Sequence, residues 1–519
     1  MGADFPNQIE SIQQITSDKR DVAVLASGAS ISLFGKIAGR GLYAVTEVIL
    51  ARVLGPSFYG LYAIGMTVLR IAATIGMLGT QNGVIHFGTR FWRSSLPELK
   101  RVLIYGIGYS VVSGLIIGIS IYFFAPWLAI EVFHKPDLIN AFRGFAIAFP
   151  FTIGLWVTSS ATRITRRMKY YVISEEITQS SVNLLVVLTL SFIGLTVSGA
   201  VFAAVLSYFF AFCLALYYVW ILFSEALEVR SPSSFPFQTF MLFSIPTGLA
   251  GTFTLLPGWI SRLFIGFYRP AAEAGIYQAA SQVSILFAMI LSAMNSIYGP
   301  MIADLHHKNE YRRIDALYKT STRWALYSIL PIFIVICFIP RQFMAAIFGP
   351  AYIFGAIPLV ILSCTQVVNV GTGAVGFLLT MTGHQNRWFI TSILTFILAL
   401  MLNAWLIPPL GMTGAALASA IAISGLFISG LIQVKLILGF WPYDRKYIKG
   451  LISVILTVCL LILINRNLQY FSPIIHLVIN SFIAFIGFYS FLILQGLYSE
   501  DIEMIRVLSK RLRRVNFFS

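Results

Sequence analysis

Lys36, Arg40, Tyr43 and Glu47 fall on one face of a single apolar segment. At about 100° per residue they lie within roughly 60° of one another on a helix. The surrounding stretch, 27–54, is long enough to cross a bilayer, which takes about 20 mostly apolar residues. A charge in mid-bilayer costs about 2.5–3.5 kcal/mol on insertion scales, so such residues face a protein interior or a polar cavity. Lysine and arginine at this spacing bind oxyanions through charge-assisted hydrogen bonds. We therefore expect a cationic lumen walled by Lys36, Arg40 and the equally deep Arg70, holding something anionic.

Those residues need a scaffold, and composition defines it. The chain has 519 residues, 58% of them hydrophobic and 11% charged, with a mean hydropathy of +0.84. That pattern predicts an all-α polytopic membrane protein and excludes the soluble classes. The apolar runs are continuous, not alternating, which excludes an outer-membrane barrel. Apolar runs at 25–52, 58–86, 102–124, 139–161, 173–193, 199–222, 239–265, 275–302, 320–339, 355–381, 388–407, 413–437, 448–465 and 474–496 predict about fourteen transmembrane helices. The first 21 residues lack the regions of a signal peptide, so the first span is expected to stay in the mature protein.

Loop charge gives an orientation. Arg90, Arg93, Lys100, Arg101, Arg163, Arg166, Arg167, Lys169, Lys308, Arg312, Arg313 and Lys319 lie in loops on one side. Both tails join that side through Lys19, Arg20, Arg506, Lys510, Arg511, Arg513 and Arg514. The other side has only Lys135, Arg269, Arg341 and Arg466. The positive-inside rule puts both termini in the cytoplasm, as an even number of spans requires. The formal net charge of +16 is then a topology signal and implies no nucleic-acid partner.

An internal repeat organises the spans. Gly60-Leu61-Tyr62 opens the second span and Gly275-Ile276-Tyr277 the eighth; Gly199-Ala200 opens the sixth and Gly414-Ala415 the twelfth. Both glycine pairs share an offset of 215 residues. The expected organisation is a cytoplasmic tail (1–24), a first six-helix lobe (25–222), a linker (223–238), a second lobe (239–437), two appended spans (438–496) and a basic tail (497–519). Both copies begin on one side, so they form a parallel repeat with a pseudo-twofold axis along the membrane normal, an arrangement suited to transport. The repeat puts Ser261 or Arg262 opposite Glu47, at similar depth. Arg262 joins the lumen wall, and Glu47 with Arg262 is expected to form an outer gate or coupling pair.

Other polar residues read more simply. Arg52, Arg143 and Arg323 sit near span ends, where snorkelling accounts for them. Gln81, Asn82, Asn295, Gln366, Asn369 and Asn403 suit interhelical hydrogen bonds. Each of the four cysteines stands alone in an apolar run, as a packing residue. No P-loop, nucleophile elbow or HExxH motif occurs, and no loop is long enough for a catalytic domain, so a transporter without cofactor or metal is expected rather than an enzyme.

The motifs also carry a resemblance. Phe34-Gly35-Lys36, Gly39-Arg40-Gly41, Ala51-Arg52, Gly55-Pro56, Tyr59-Gly60-Leu61-Tyr62 and Leu78-Gly79 resemble the start of polysaccharide-transporter flippases of the Wzx type. Phe348-Gly349-Pro350 with Tyr352, Thr382-Gly383-His384-Gln385, Asn403, Ile407-Pro408 and Gly411 to Gly414 continue it, to about residue 440. These flippases belong to the multidrug/oligosaccharidyl-lipid/polysaccharide exporter superfamily. The resemblance implies alternating-access transfer of an undecaprenyl- or dolichyl-linked oligosaccharide across the cytoplasmic membrane for surface glycan synthesis. It further implies glycan polymerases or glycosyltransferases as partners, and a lipid tail that stays among the membrane lipids, where spans 13–14 would help form its groove. Rival readings are a cation-coupled drug exporter, which would want lumenal carboxylates, a lipid II flippase, and a membrane glycan polymerase or ligase, which would want a large outer loop.

Overall fold

The computed structural model describes residues 5–232, 234–465, 472–496 and 498, with side chains from Gly35 onward except at a few positions between 250 and 303. Lys19, Arg20, Arg466 and the basic residues of 506–514 therefore lie outside the described side chains. Among the described residues every regular element is helical. Eleven helices are long and apolar enough to cross a membrane, or twelve if the bent pair Phe237–Leu255 and Pro257–Tyr268 is one span. Two of them, Gly35–Met77 and Gln385–Leu438, contain a non-helical glycine, Gly55 or Gly411, where the chain turns back. With each counted as two segments, the fourteen runs of the sequence are all accounted for. The chain is a multi-pass membrane protein.

It forms two compact units, residues 1–279 with 392–419, and residues 280–391 with 420–519. In the first, α1 (Phe5–Met77) reverses at Gly55, whose φ of 72° suits glycine, and Pro56 restarts the helix where no N–H is needed. The reversal is visible in the contact of Tyr43 with Arg70, 27 residues apart. The second arm ends at Met77, short of the expected 86, because Leu78 and Gly79 both take positive φ before α2 (Thr80–Phe91). A Cβ on Gly79 would meet the backbone of Ser244 and Gly248, so this turn is also a close helix crossing. α3 (Leu96–Trp127) lies on α4 (Leu138–Thr162) through Gly114 and Gly118, which touch the backbone of Pro150 and Ala146. Small residues allow that approach where apolar burial gives no drive in lipid.

The fifth span starts early. α5 (Met168–Tyr171) runs into a π-helical turn, Val172–Thr178, and then α6 (Gln179–Ile193). α7 (Val197–Leu222) is capped by Thr196, whose hydroxyl accepts from the Gly199 N–H. After the short α8 (Ser224–Glu228), the expected single run 239–265 is divided into α9 (Phe237–Leu255) and α10 (Pro257–Tyr268), since Pro257 removes a helical hydrogen bond. Lys135 ties this unit together by donating to the Gly266 carbonyl at 2.6 Å, a cation near the C-terminal end of α10. The first residues of α11 (Ala271–His307) and residues 392–419 complete the unit.

The second unit contains α12 (Tyr311–Phe338), α13 (Pro340–Phe348), α14 (Ala356–Thr372), α15 (Val375–Met381), the ends of α16 (Gln385–Leu438), α17 (Tyr447–Asn465) and α18 (Pro473–Leu494). Its core includes Ile314, Tyr318, Val375, Leu378, Leu431 and Val434. The expected span 355–381 breaks at Gly373 (φ 71°), and the Tyr318 hydroxyl satisfies the freed Thr372 carbonyl at 2.6 Å. Tyr352, expected in an exposed loop turn, is buried in the 3-10 turn Pro350–Gly355. The last two spans are fastened by Tyr327 against Phe488 and by the paired amides of Asn465 and Asn480.

Candidate translocation site

The α1 hairpin and the start of α11 build a buried polar chain inside the first unit. Reversal at Gly55 brings Tyr59 back over Glu47, and its hydroxyl donates to Glu47 Oε2 at 2.5 Å. Gln278 Nε2 donates to the same oxygen at 3.1 Å, while Gln278 Oε1 accepts from Arg262 Nη1. Glu47 is 1% exposed and Arg262 4%. The expected direct pairing of Glu47 with Arg262 is thus replaced by a relay in which one amide serves both charges. An amide fits that place because it offers donors at one end and an acceptor at the other. Burying two charges is tolerable only with such satisfied partners.

Two buried donors remain open. Neither the Tyr62 hydroxyl nor Arg262 Nε has a hydrogen-bond partner among the described residues. Next to them, Arg70 Nη2 donates to the Tyr43 hydroxyl at 2.8 Å and also reaches the Tyr208 hydroxyl. Arg70 and Arg262 feel each other's charge as well as that of Glu47. Two guanidiniums against one carboxylate leave this cluster with a positive excess.

The repeat glycines meet here. A Cβ on Gly60 would strike Ala271 O and Gly275 N, and one on Gly275 would strike Pro56 O and Gly60 N. Corresponding positions of the two copies therefore touch each other reciprocally, backbone on backbone. The rest of this α11 turn is equally committed. The Glu273 carboxylate accepts from the Met412 N–H at 2.9 Å and pairs with Arg269, holding the Gly411 reversal. The Tyr277 hydroxyl and Ser261 both bond Ser419, at 2.9 and 2.8 Å.

Lys36 and Arg40 occupy a second cluster nearer the N-terminus of the same helix. Lys36 is half-buried and Arg40 exposed, so neither is enclosed as Arg262 is. Gly35 and Gly39 beside them abut Val172 and the Glu176 backbone of the π-helical turn. Glu176 faces the charges of Arg40 and Lys36, and its neighbour Glu175 accepts from Ser159 and, at 3.3 Å, from Tyr171. The five expected site residues therefore divide between two places: Arg70, Glu47 and Arg262 share the buried cluster, Lys36 and Arg40 the open one.

Sequence reasoning missed Tyr59, Gln278, Glu175 and Glu176. Gln278 had a signal, since its repeat partner is Ala63 and an amide has replaced a methyl just after the shared Gly-x-Tyr. The two glutamates stood only as a polar blemish at the start of span 5. Arg52 and Arg143 are exposed, as snorkelling requires, and Arg143 stacks over Tyr122. Arg323 does not snorkel: it is 1% exposed, in the second unit, 5.5 Å from the Tyr498 ring centroid.

Comparisons with known proteins fit this architecture. A family model described as polysaccharide biosynthesis protein matches residues 25–306. The probable low-salt glycan biosynthesis flippase Agl15 of Haloferax volcanii is 23% identical over 406 residues, covering 76% of this chain and 80% of that protein. Among solved structures, the lipid II flippase MurJ in an inward closed conformation superposes with a TM-score of 0.68 at 14% identity, covering 90% of this chain and 98% of its own. An inward-facing multidrug-resistance MATE transporter of the MOP superfamily gives a TM-score of 0.64 at 16% identity, with coverages of 79% and 98%. At these identities the structural likeness speaks for the fold.

Proposed function

This chain belongs to the polysaccharide biosynthesis protein family, and on that premise we propose that it is a flippase moving a lipid-linked oligosaccharide across the cytoplasmic membrane by alternating access. The observation that carries the reading is the buried cluster of Arg70 and Arg262 around the single carboxylate of Glu47, with open donors on Tyr62 and Arg262. A positive excess in a low-dielectric site favours an anionic headgroup, here the phosphate or pyrophosphate of an undecaprenyl or dolichyl carrier. A cationic drug would meet repulsion there. The Haloferax volcanii relative, itself a probable glycan biosynthesis flippase, supports the same substrate class.

In this reading both termini are cytoplasmic, and the bodies that rock are the repeats 25–222 and 239–437. Lys36 and Arg40, on the half of their helix nearer the basic loops, receive the headgroup first. Arg70 and Arg262 hold it deeper, and Gly60 against Gly275, with the Glu47–Gln278–Arg262 relay beneath, closes the opposite side. Glycan polymerases or glycosyltransferases act on either side of the step. The test is transport in proteoliposomes loaded with a short-chain lipid-linked oligosaccharide, read by a membrane-impermeant sugar-modifying reagent. Wild-type protein should expose the glycan, and Lys36→Gln with Arg40→Gln should not. Failure of the wild type with this substrate, together with export of a cationic dye, would sink the reading in favour of a drug exporter.

A further inference from the structure

A cavity of about 410 Å³ lies in the first unit, away from the charged clusters. It forms where three helix connections meet: the Gly55 reversal of α1, the turn before α4 and the turn before α7. These are the connections poor in lysine and arginine, opposite the basic loops. Phe58 and Leu61 supply its apolar wall, and Asp137, Asn140, Thr196 and Ser198 its polar one.

We propose that this cavity binds a neutral sugar residue of the transported glycan; the proposal rests on the flippase reading and names a part of its substrate. Its lining is two-sided, as a pyranose is. Phe58 is 55% exposed and offers an apolar face to ring C–H groups. The polar wall offers a carboxylate, an amide and two hydroxyls to an edge of sugar hydroxyls. Thr196 already accepts from the Gly199 N–H at 3.2 Å, so its own hydroxyl proton is available to donate. Asp137 makes no side-chain capping bond to α4, so its oxygens can accept from paired sugar hydroxyls.

Charge separates this cavity from the lumen. Asp137 is the charged member of its lining, so a phosphate or uronate here would meet a like charge. The volume lies near the lower end of the range for small-molecule pockets, about 300–1,000 Å³, which suits one or two sugar rings rather than a whole oligosaccharide. Position completes the argument. Leu61 sits between Gly60, which packs on Gly275, and Tyr62, whose open hydroxyl borders the Glu47 cluster. A sugar in the cavity therefore lies just beyond the proposed closure, where a glycan emerges ahead of its phosphate.

Saturation-transfer NMR on the full chain in nanodiscs tests this, with methyl glucopyranoside, N-acetylglucosamine and glucuronate as probes. The neutral sugars should be saturated, and Ser198→Trp, which fills the cavity, should abolish the effect. Phe58→Ala and Asn140→Ala, on different walls, should each weaken it by about tenfold, the weight of one or two lost hydrogen bonds or an aromatic contact. Glucuronate should give a weaker effect that Asp137→Asn restores. Size-exclusion profiles identify any variant that fails to fold, and the two alanine variants then decide the matter. No saturation of the wild type, no change in the folded variants, or glucuronate binding as well as the neutral sugars would overturn the proposal. Binding does not need transport, so loss of the proteoliposome signal with sugar binding intact would instead count against the flippase reading.

Discussion

Two charged clusters share one helix and differ in how they are held. Around Glu47 each charge has a fixed partner: Tyr59 and Gln278 on the carboxylate, Gln278 and the Gly258 carbonyl on Arg262. Around Lys36 and Arg40 the side chains stay partly in the open, steered by Glu176 at a distance. The first arrangement makes charge part of the protein's architecture. The second keeps cations free to meet a ligand. The same residue types on the same face thus do different work, and burial decides which.

Substitutions that remove one partner from the enclosed cluster should have the largest effect. Glu47→Ala leaves Arg262 and Gln278 buried without their acceptor and should lower stability by about 3–5 kcal/mol, seen as a fall in Tm in detergent. A loss below about 1 kcal/mol would mean that the relay contributes little. Because Gln278 can flip its amide, Glu47→Arg combined with Arg262→Glu should recover much of the stability lost in either single variant. Adding Gln278→Leu should remove that recovery; a rescue that persists without the amide would show that the charges reach each other directly.

The glycine contact comes next. Gly60→Val must push backbone away from Ala271 and should cost about 1–3 kcal/mol, as overpacking does. Its functional mark is increased labelling of a Ser57→Cys probe by an impermeant maleimide; unchanged labelling would separate this contact from closure. Gly55→Ala is milder. Nothing crowds its Cβ, so only the φ of 72° opposes it, at about 1–2 kcal/mol. At the open cluster, Arg40→Gln should change stability by less than about 1 kcal/mol. Transport should nevertheless fall at least about tenfold, since a charge-assisted bond to the headgroup is lost. Equal loss of stability in Arg40→Gln and Glu47→Ala would erase the distinction between the clusters.

The amino-acid sequence was sufficient for the class of molecule and for much of its plan. Long apolar runs must become helices in lipid, because no water is there to satisfy an open backbone. Fourteen runs, and the 215-residue offset, were therefore legible. So was the depth of Lys36, Arg40, Glu47, Arg70 and Arg262, since depth follows from position along a span. The breaks at Leu78–Gly79, Pro257 and Gly373 were not legible, because an apolar run gives no sign of where neighbouring helices accept freed backbone groups. Nor was the division of the five site residues into two clusters. Periodicity fixes which face a side chain is on, but not what packs against that face. Only the tertiary structure brought Tyr59 back onto Glu47, set Gln278 between two charges 215 residues apart and turned the glutamates of the π-helical turn toward Lys36 and Arg40. Hydrogen bonds act over about 3 Å, and the residues that meet at that range are chosen by how helices cross.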